Sequence, residues 1–149
     1  MEKEQTTLKG RFHIAVVREG QIVEERDSYN IVTAAGKALV SGLILTDVTV
    51  TACDFIAIGT GTSAPTTAQT ALVGEKYRNA CTGSQTTTTV PNDTARLTCS
   101  VAITATATMS EAGVFNATAS GTMLARSTYS AISVNSGDTL NIGYDVAVA

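Results

Sequence analysis

From residue 97 to residue 109 the chain alternates, with Ala102 the one apolar residue among the even positions. Leu97, Cys99, Val101, Ile103, Ala105, Ala107 and Met109 take the odd positions, while Thr98, Ser100, Thr104, Thr106 and Thr108 take even ones. Successive side chains on a strand point to opposite faces, so this period of two puts the apolar set on one face and the hydroxyls on the other. A helix would scatter both sets around its cylinder. The segment therefore demands a sheet with one face buried and one wetted, which is the habit of antiparallel sheets. The same period returns at Leu140, Ile142, Tyr144, Val146 and Val148. That face is apolar to its end, so the last strand is expected to be an interior or paired one.

Other segments supply partners. Phe12, Ile14 and Val16 alternate with Arg11, His13 and Ala15, Glu19-Gly20 is a turn, and Gln21–Arg26 returns, giving an opening hairpin. Glu111–Phe115 and Met123–Tyr129 flank the small-residue turn Asn116–Gly121, a second hairpin. Gln85–Val90 and Ala95–Met109 read as the arms of a third about Pro91-Asn-Asp-Thr. Phe55–Gly59 is a compact apolar strand running into a loop rich in turn residues, Thr60–Thr67, and Asn135-Ser-Gly-Asp turns the chain into the last strand. Ala68–Leu72 and Glu75–Asn79 have no clear pattern.

One segment changes period. Thr33 is a suitable N-cap for Ala34–Leu43, where Ala35, Leu39 and Leu43 recur at four-residue spacing, although Gly36 weakens the helix. The expected fold is all-β, mainly an antiparallel sandwich or barrel, with one short α-helix near residues 34–43. A chain of 149 residues is long enough to bury a core without staples. The expected organisation is a polar N-terminal arm over residues 1–10 and a single β-domain over 11–149.

Composition narrows the function. Charged residues make up 15% of the chain, below the roughly 25% usual for soluble domains. A threonine-covered surface of low charge suits a subunit packed against other copies, and it also suits an ordinary secreted β-domain. A net charge of −3 gives no basic face for nucleic acid. Twelve of the charged residues lie within the first 37, six of each sign, so that segment is polar but balanced. The opening Met-Glu-Lys-Glu-Gln-Thr-Thr has no apolar core of a signal peptide, and no apolar run approaches the ~18 residues of a membrane span. The expectation is a protein kept in the cytoplasm until it assembles, with no membrane partner.

Candidate chemistry is sparse. His13, the single histidine, falls on the polar face of a strand among charged neighbours, with no nucleophile motif to serve. Cys53, Cys81 and Cys99 lack metal-ligand spacing and are odd in number, so they read as reduced and structural. A Cys53–Cys81 or Cys81–Cys99 bridge stays open as the alternative. Gly59-Thr-Gly-Thr follows a strand but lacks the Lys-Ser/Thr pair of a phosphate loop and the third glycine of a dinucleotide fingerprint. Positive φ angles at a sharp reversal are the expected reason for Gly59 and Gly61. Glu111, Asp138 and Asp145 fall near expected strand ends, as glycosidase carboxylates can, but a chain without tryptophan builds a sugar-stacking cleft with difficulty, and Asp138 reads as turn chemistry. The sequons Asn92-Asp-Thr and Asn116-Ala-Thr read as exposed turns. No catalytic residue, metal ligand, cofactor or small-molecule substrate is expected.

Three blocks together resemble small virion structural proteins of tailed bacteriophages, both head decoration (cement) proteins and related proteins labelled as tail-fibre components. They are Tyr29-Asn-Ile-Val-Thr-Ala-Ala-Gly-Lys-Ala-Leu, then Ile56–Leu72 with Glu75 and Arg78 after it, then Glu111-Ala-Gly-Val-Phe-Asn with Gly121–Tyr129 and Ser136-Gly-Asp-Thr-Leu. The likeness runs from Arg11 onward and fails at Thr82–Thr94, which reads as a variable exposed hairpin. It implies a non-enzymatic, β-rich subunit that trimerises on the outer surface of an icosahedral head and binds the major capsid protein. A tail-tip or tail-fibre component is the alternative, and a secreted adhesin-like β-domain a further one. The arm residues Met1, Glu2, Lys3, Glu4, Gln5, Thr6, Thr7, Leu8 and Lys9 carry little apolar surface, so they are expected to stay disordered until they meet the shell or a neighbouring subunit, and they are the candidate interface.

Overall fold

The alternating apolar residues of the opening hairpin and of the C-terminal strand meet each other. In the computed structural model, which describes residues 3–45 and 47–149, β1 (Leu8–Arg18) pairs with β2 (Gln21–Tyr29) through the turn at Glu19-Gly20. On its other side β1 pairs with the C-terminal strand, Thr139–Val148. Between them lie β3 (Ile31–Val32), α1 (Ala34–Leu43), β4 (Phe55–Gly59), β5 (Glu75–Ala80), β6 (Thr82–Thr86), β7 (Thr94–Ala102), β8 (Ala107–Phe115) and β9 (Met123–Val134), so the last strand is β10. Two five-stranded antiparallel sheets result, in the order β2-β1-β10-β7-β6 and β3-β9-β8-β4-β5. This is the all-β fold with one short helix expected from the periodicity, and of the two expected forms it is the sandwich. β10 lies inside its sheet, between β1 and β7.

The core fills the space between the two inner faces. Phe12, Ile14 and Val16 stand opposite Tyr144, Ile142 and Leu140 in register, and all six are buried. The Phe12 and Tyr144 rings lie 4.7 Å apart between centroids and are tilted at 42°, within the range that aromatic pairs prefer. Ile56, Ile58, Met109, Val114, Ile132 and Val134 come from the second sheet. Burying each large aliphatic side chain contributes about 1.5–3 kcal/mol, so the sandwich rests on this layer.

Two expectations from the threonine-rich middle are corrected. The continuous alternation of Ala95–Met109 is two strands, β7 in the first sheet and β8 in the second. Ile103 sits at the corner, buried, its N–H donating to Asp138 O at 2.9 Å and its carbonyl accepting from Gly137 N at 2.8 Å. The period survives because both sheets turn their apolar faces toward one core, and a strand may change sheets at such a corner. The third hairpin is likewise displaced: its first arm is β6, Thr82–Thr86, rather than Gln85–Val90. The Asp93 carboxylate accepts from the N–H groups of Thr88, Thr89 and Val90 at 2.8, 2.7 and 2.8 Å, which withdraws those residues from the ladder.

The N-terminal boundary also moves. Leu8 and Lys9 are strand residues opposite Val148 and Ala147, and Thr7 exchanges backbone hydrogen bonds with Ala149. The free ladder positions at the end of β10 supply partners that the arm's own sequence does not reveal. Lys3–Thr6 are exposed and outside any strand. Met1 and Glu2 lie outside the described residues.

Candidate functional site

Glu111 is the most deeply placed carboxylate of the three weighed as chemistry. It lies within β8 rather than at its end, on the face of the second sheet that looks away from the core. Arg126 on β9 stands diagonally across the hairpin, since Gly113 pairs with Arg126 and Glu111 with Thr128. Both side chains are 0% exposed. Arg126 Nε donates to Glu111 Oε2 at 2.9 Å, and its Nη1 donates to Ser63 O at 2.9 Å and Gln69 Oε1 at 3.0 Å. Glu111 accepts in addition from Gly61 N at 2.9 Å, Gly74 N at 2.6 Å and Val73 N at 3.0 Å. Burial alone would raise the Glu111 pKa. The backbone donors of Gly74 and Val73, then Arg126, then Gly61, outweigh it, and the group lies below its ordinary value.

The pair therefore folds a loop. Residues 60–74 wrap over the outer face of the second sheet, tied at both ends to one carboxylate and in the middle to one guanidinium. Gly59 and Gly61 do not have positive φ angles, contrary to the sequence expectation. They are needed for proximity: a Cβ on Gly61 would stand 2.6 Å from Glu111 Cδ, and one on Gly59 2.4 Å from Gly74 O. Beneath the loop, Ala57, Leu72, Phe115 and Met123 form a second small core. Arg78 closes it, its guanidinium 3.7 Å from the Phe115 ring centroid. The same guanidinium binds Glu75 at 2.9 and 2.7 Å and donates to Ala117 O and Ser120 O in the β8–β9 turn.

The helix is fixed to the same layer. Thr33 Oγ1 accepts from Gly36 N at 2.8 Å and donates to Met123 O at 2.5 Å, and Ala34 N donates to Thr67 O at 2.8 Å. The first two resembling blocks and the Glu111–Tyr129 part of the third thus meet on one side of the sandwich, whereas the third block's Ser136–Leu140 lies in the other sheet, at the turn into β10. Glu111 and the glycines were singled out in the sequence for other reasons, and Arg126 was not singled out at all. Writing out the hairpin register across Asn116–Gly121 would have placed the two charges side by side.

The other candidates lie apart from this network. His13 is on the outer face of the first sheet, half exposed, with Nδ1 2.9 Å from Asp27 Oδ1 and Nε2 3.8 Å from Glu25. Asp145 lies mid-strand on that face in a bidentate pair with Arg96 at 2.7 and 2.6 Å. Asp138 occupies the turn before β10, accepting from Asn135 N at 2.8 Å and from Arg18 at 2.9 and 2.8 Å. Arg18 and then Asn135 hold its pKa down to about 2. Asn92 is exposed in its turn, whereas Asn116 is half-buried and its Oδ1 accepts from Thr122 N, so only the former matches the exposed-turn expectation.

Two features of the surface remain. The outer face of the first sheet is an open depression of about 920 Å³ around Gly143, bordered by Arg11, His13, Arg96 and Asp145. At the C-terminal end of α1, Leu43, Ile44, Leu45 and Val48 are all substantially exposed. No helix among the described residues is long and apolar enough to cross a membrane. No family model, curated protein or solved structure matches the chain.

Proposed function

We propose that this protein is a non-enzymatic structural subunit of a tailed-bacteriophage virion: a capsid decoration (cement) protein, homotrimeric, bound to the major capsid protein on the outer head surface. The observation that carries this reading is where the resembling residues go. Glu111, Arg126, Arg78, Thr33 and the 60–74 loop lock to one another instead of converging on an open cleft. Their charges are spent on internal contacts, as suits a rigid building block.

The rest of the surface supports the same role. The outer face of the first sheet carries charges already matched in pairs, Arg11 with Asp27 and Arg96 with Asp145. β6, an edge strand, is exposed over most of its length, and pairing or covering it in an assembly would satisfy its free backbone groups. A cement protein acts by binding the assembled shell and not its separated parts, which stabilises the shell by mass action.

Localisation by electron microscopy, with titration onto undecorated, expanded heads, tests the proposal. The expected result is saturable binding of many symmetry-related copies per head and raised heat resistance of the particle. A few copies confined to the tail would replace it with the tail-component reading, which the same sequence blocks also fit. A protein that binds neither structure would leave only the fold.

A further inference from the structure

Cys81 lies where the chain leaves β5 in one sheet and enters β6 in the other. The β6–β7 register reads Gly83 opposite Leu97 and Thr82 opposite Thr98, so the same register continued one step would set Cys81 opposite Cys99, while Cys81 N itself turns to Asp54 O at 2.7 Å. The shared face is the inner one: a Cβ on Gly83 would meet Leu97 Cδ2 at 3.7 Å, and both cysteines pack, half-buried, against the main core. Directly opposed residues of an antiparallel pair have Cα atoms about 4.5 or 5.5 Å apart, and a disulfide accepts about 4.4–6.8 Å.

We propose that Cys81 and Cys99 form a disulfide site, closed by a low-molecular-weight disulfide such as oxidised glutathione. The Cys99 thiolate attacks one glutathione sulfur, making a mixed disulfide and expelling one glutathione thiolate. Cys81 then loses its proton to solvent and attacks the Cys99 sulfur, which breaks the mixed disulfide and releases the second glutathione. Two protein thiols and one oxidised glutathione become one protein disulfide and two reduced glutathiones.

The environments of the sulfurs fit that order. Interaction with Cys81 lowers the Cys99 pKa, the direction that favours an attacking thiolate, while Cys99 and burial together raise that of Cys81. Once Cys99 is capped it no longer carries the charge that opposed ionisation of Cys81. Cys53, pushed up to about 11 mainly by burial, is the poorest entrant. The bridge would tie the crossing between the two sheets to β7 while leaving the strands in register. A reducing cytoplasm would keep it open, and an oxidising exterior would close it.

Trypsin separates the two residues, because cleavage after Arg78, Arg96 and Arg126 puts Cys81 in Asn79–Arg96 and Cys99 in Leu97–Arg126. The folded wild-type protein is incubated in a glutathione redox buffer, blocked with an alkylating agent and mapped without reduction. The expected result is a linked Asn79–Arg96/Leu97–Arg126 pair as the major form of both peptides, an unchanged strand circular dichroism spectrum, and the same linkage in Cys53→Ser. Linkage through Cys53, separate glutathione adducts only, free thiols throughout, or linkage that appears only after urea unfolding would each overturn the proposal.

Discussion

Glu111 and Arg126 are costly residues to disturb. Each is fully buried, so neither charge can turn to water if its partner is removed. Glu111→Gln leaves a buried guanidinium without its counter-ion, and breaking a buried pair on one side costs about 3–5 kcal/mol. The expected outcome is a large fall in the urea midpoint and early proteolysis within residues 60–74, since the amide keeps one acceptor oxygen but sets an NH2 donor against two of the four N–H groups that the carboxylate serves. A variant with wild-type midpoint and loop protection would show that the loop is held by other contacts. Asp138 gives a pH signature of definite sign. Its folded pKa of about 2 lies below the ordinary 3.8. Its contribution is therefore fully present above pH ~4 and is lost as pH falls through about 2. The stability difference between wild type and Asp138→Asn should be constant from neutral pH to pH ~4 and shrink below it. A difference independent of pH down to 2 would refute the Arg18 and Asn135 contacts as its source. Asp138 was legible as turn chemistry because a Gly-Asp turn announces itself locally. The Glu111–Arg126 pair was not, because charges fifteen residues apart meet only once a register is known.

At the scale of elements, Gly36 sets propensity against packing. Alanine is a better helix former than glycine by about 1 kcal/mol, so sequence reasoning counts this residue as a weakness in α1. In the fold, a Cβ at residue 36 would stand 2.3 Å from the backbone carbonyl of Leu124. Backbone of a central strand pair cannot step aside as a flexible side chain can, so packing wins. Gly36→Ala should lower the thermal midpoint and detach α1 from β9. Gly143→Ala, facing open space, should leave the midpoint nearly unchanged, and equal effects from the two would contradict this packing. Thr33→Ala removes a cap, at about 1 kcal/mol, and also removes the hydrogen bond to Met123 O. The helix bounds, the opening hairpin, β4 and the β8–β9 hairpin were readable because their signals are local: a cap, a turn, an alternation. The division of Ala95–Met109 into β7 and β8 was unreadable for the opposite reason. A strand that changes sheets around one core keeps its apolar side inward throughout, and the pattern records only which side is inward.

For the whole molecule, the sandwich separates what holds the fold from what is free to touch a partner. The 60–74 loop, α1 and the β8–β9 hairpin build up one side, and the matched charges of the first sheet spread over the other. The edge between β2 and β9 is partly closed by side chains, with Arg26 Nε donating to Ser130 O at 3.1 Å and Ser28 Oγ to Thr128 O at 3.0 Å. The N-terminal segment belongs to neither side. Lys3, Glu4, Gln5 and Thr6 are exposed and precede the backbone pairing of Thr7 with Ala149. An unpaired polar segment contributes little to global stability, and it can be ordered on binding, adding contact at the moment of assembly. Under the proposed capsid role, replacing Lys3–Thr6 by a glycine-serine linker of equal length should leave the thermal midpoint of the isolated protein unchanged and weaken binding to expanded heads. Because a head offers many symmetry-related sites, even a tenfold loss per site, about 1.4 kcal/mol, should shift the whole saturation curve rather than remove a subset of copies. Unchanged affinity with an unchanged midpoint would exclude these residues from the contact. An equal loss of midpoint and affinity would instead mean that the segment supports the fold, and would move the proposed shell contact to the sheets.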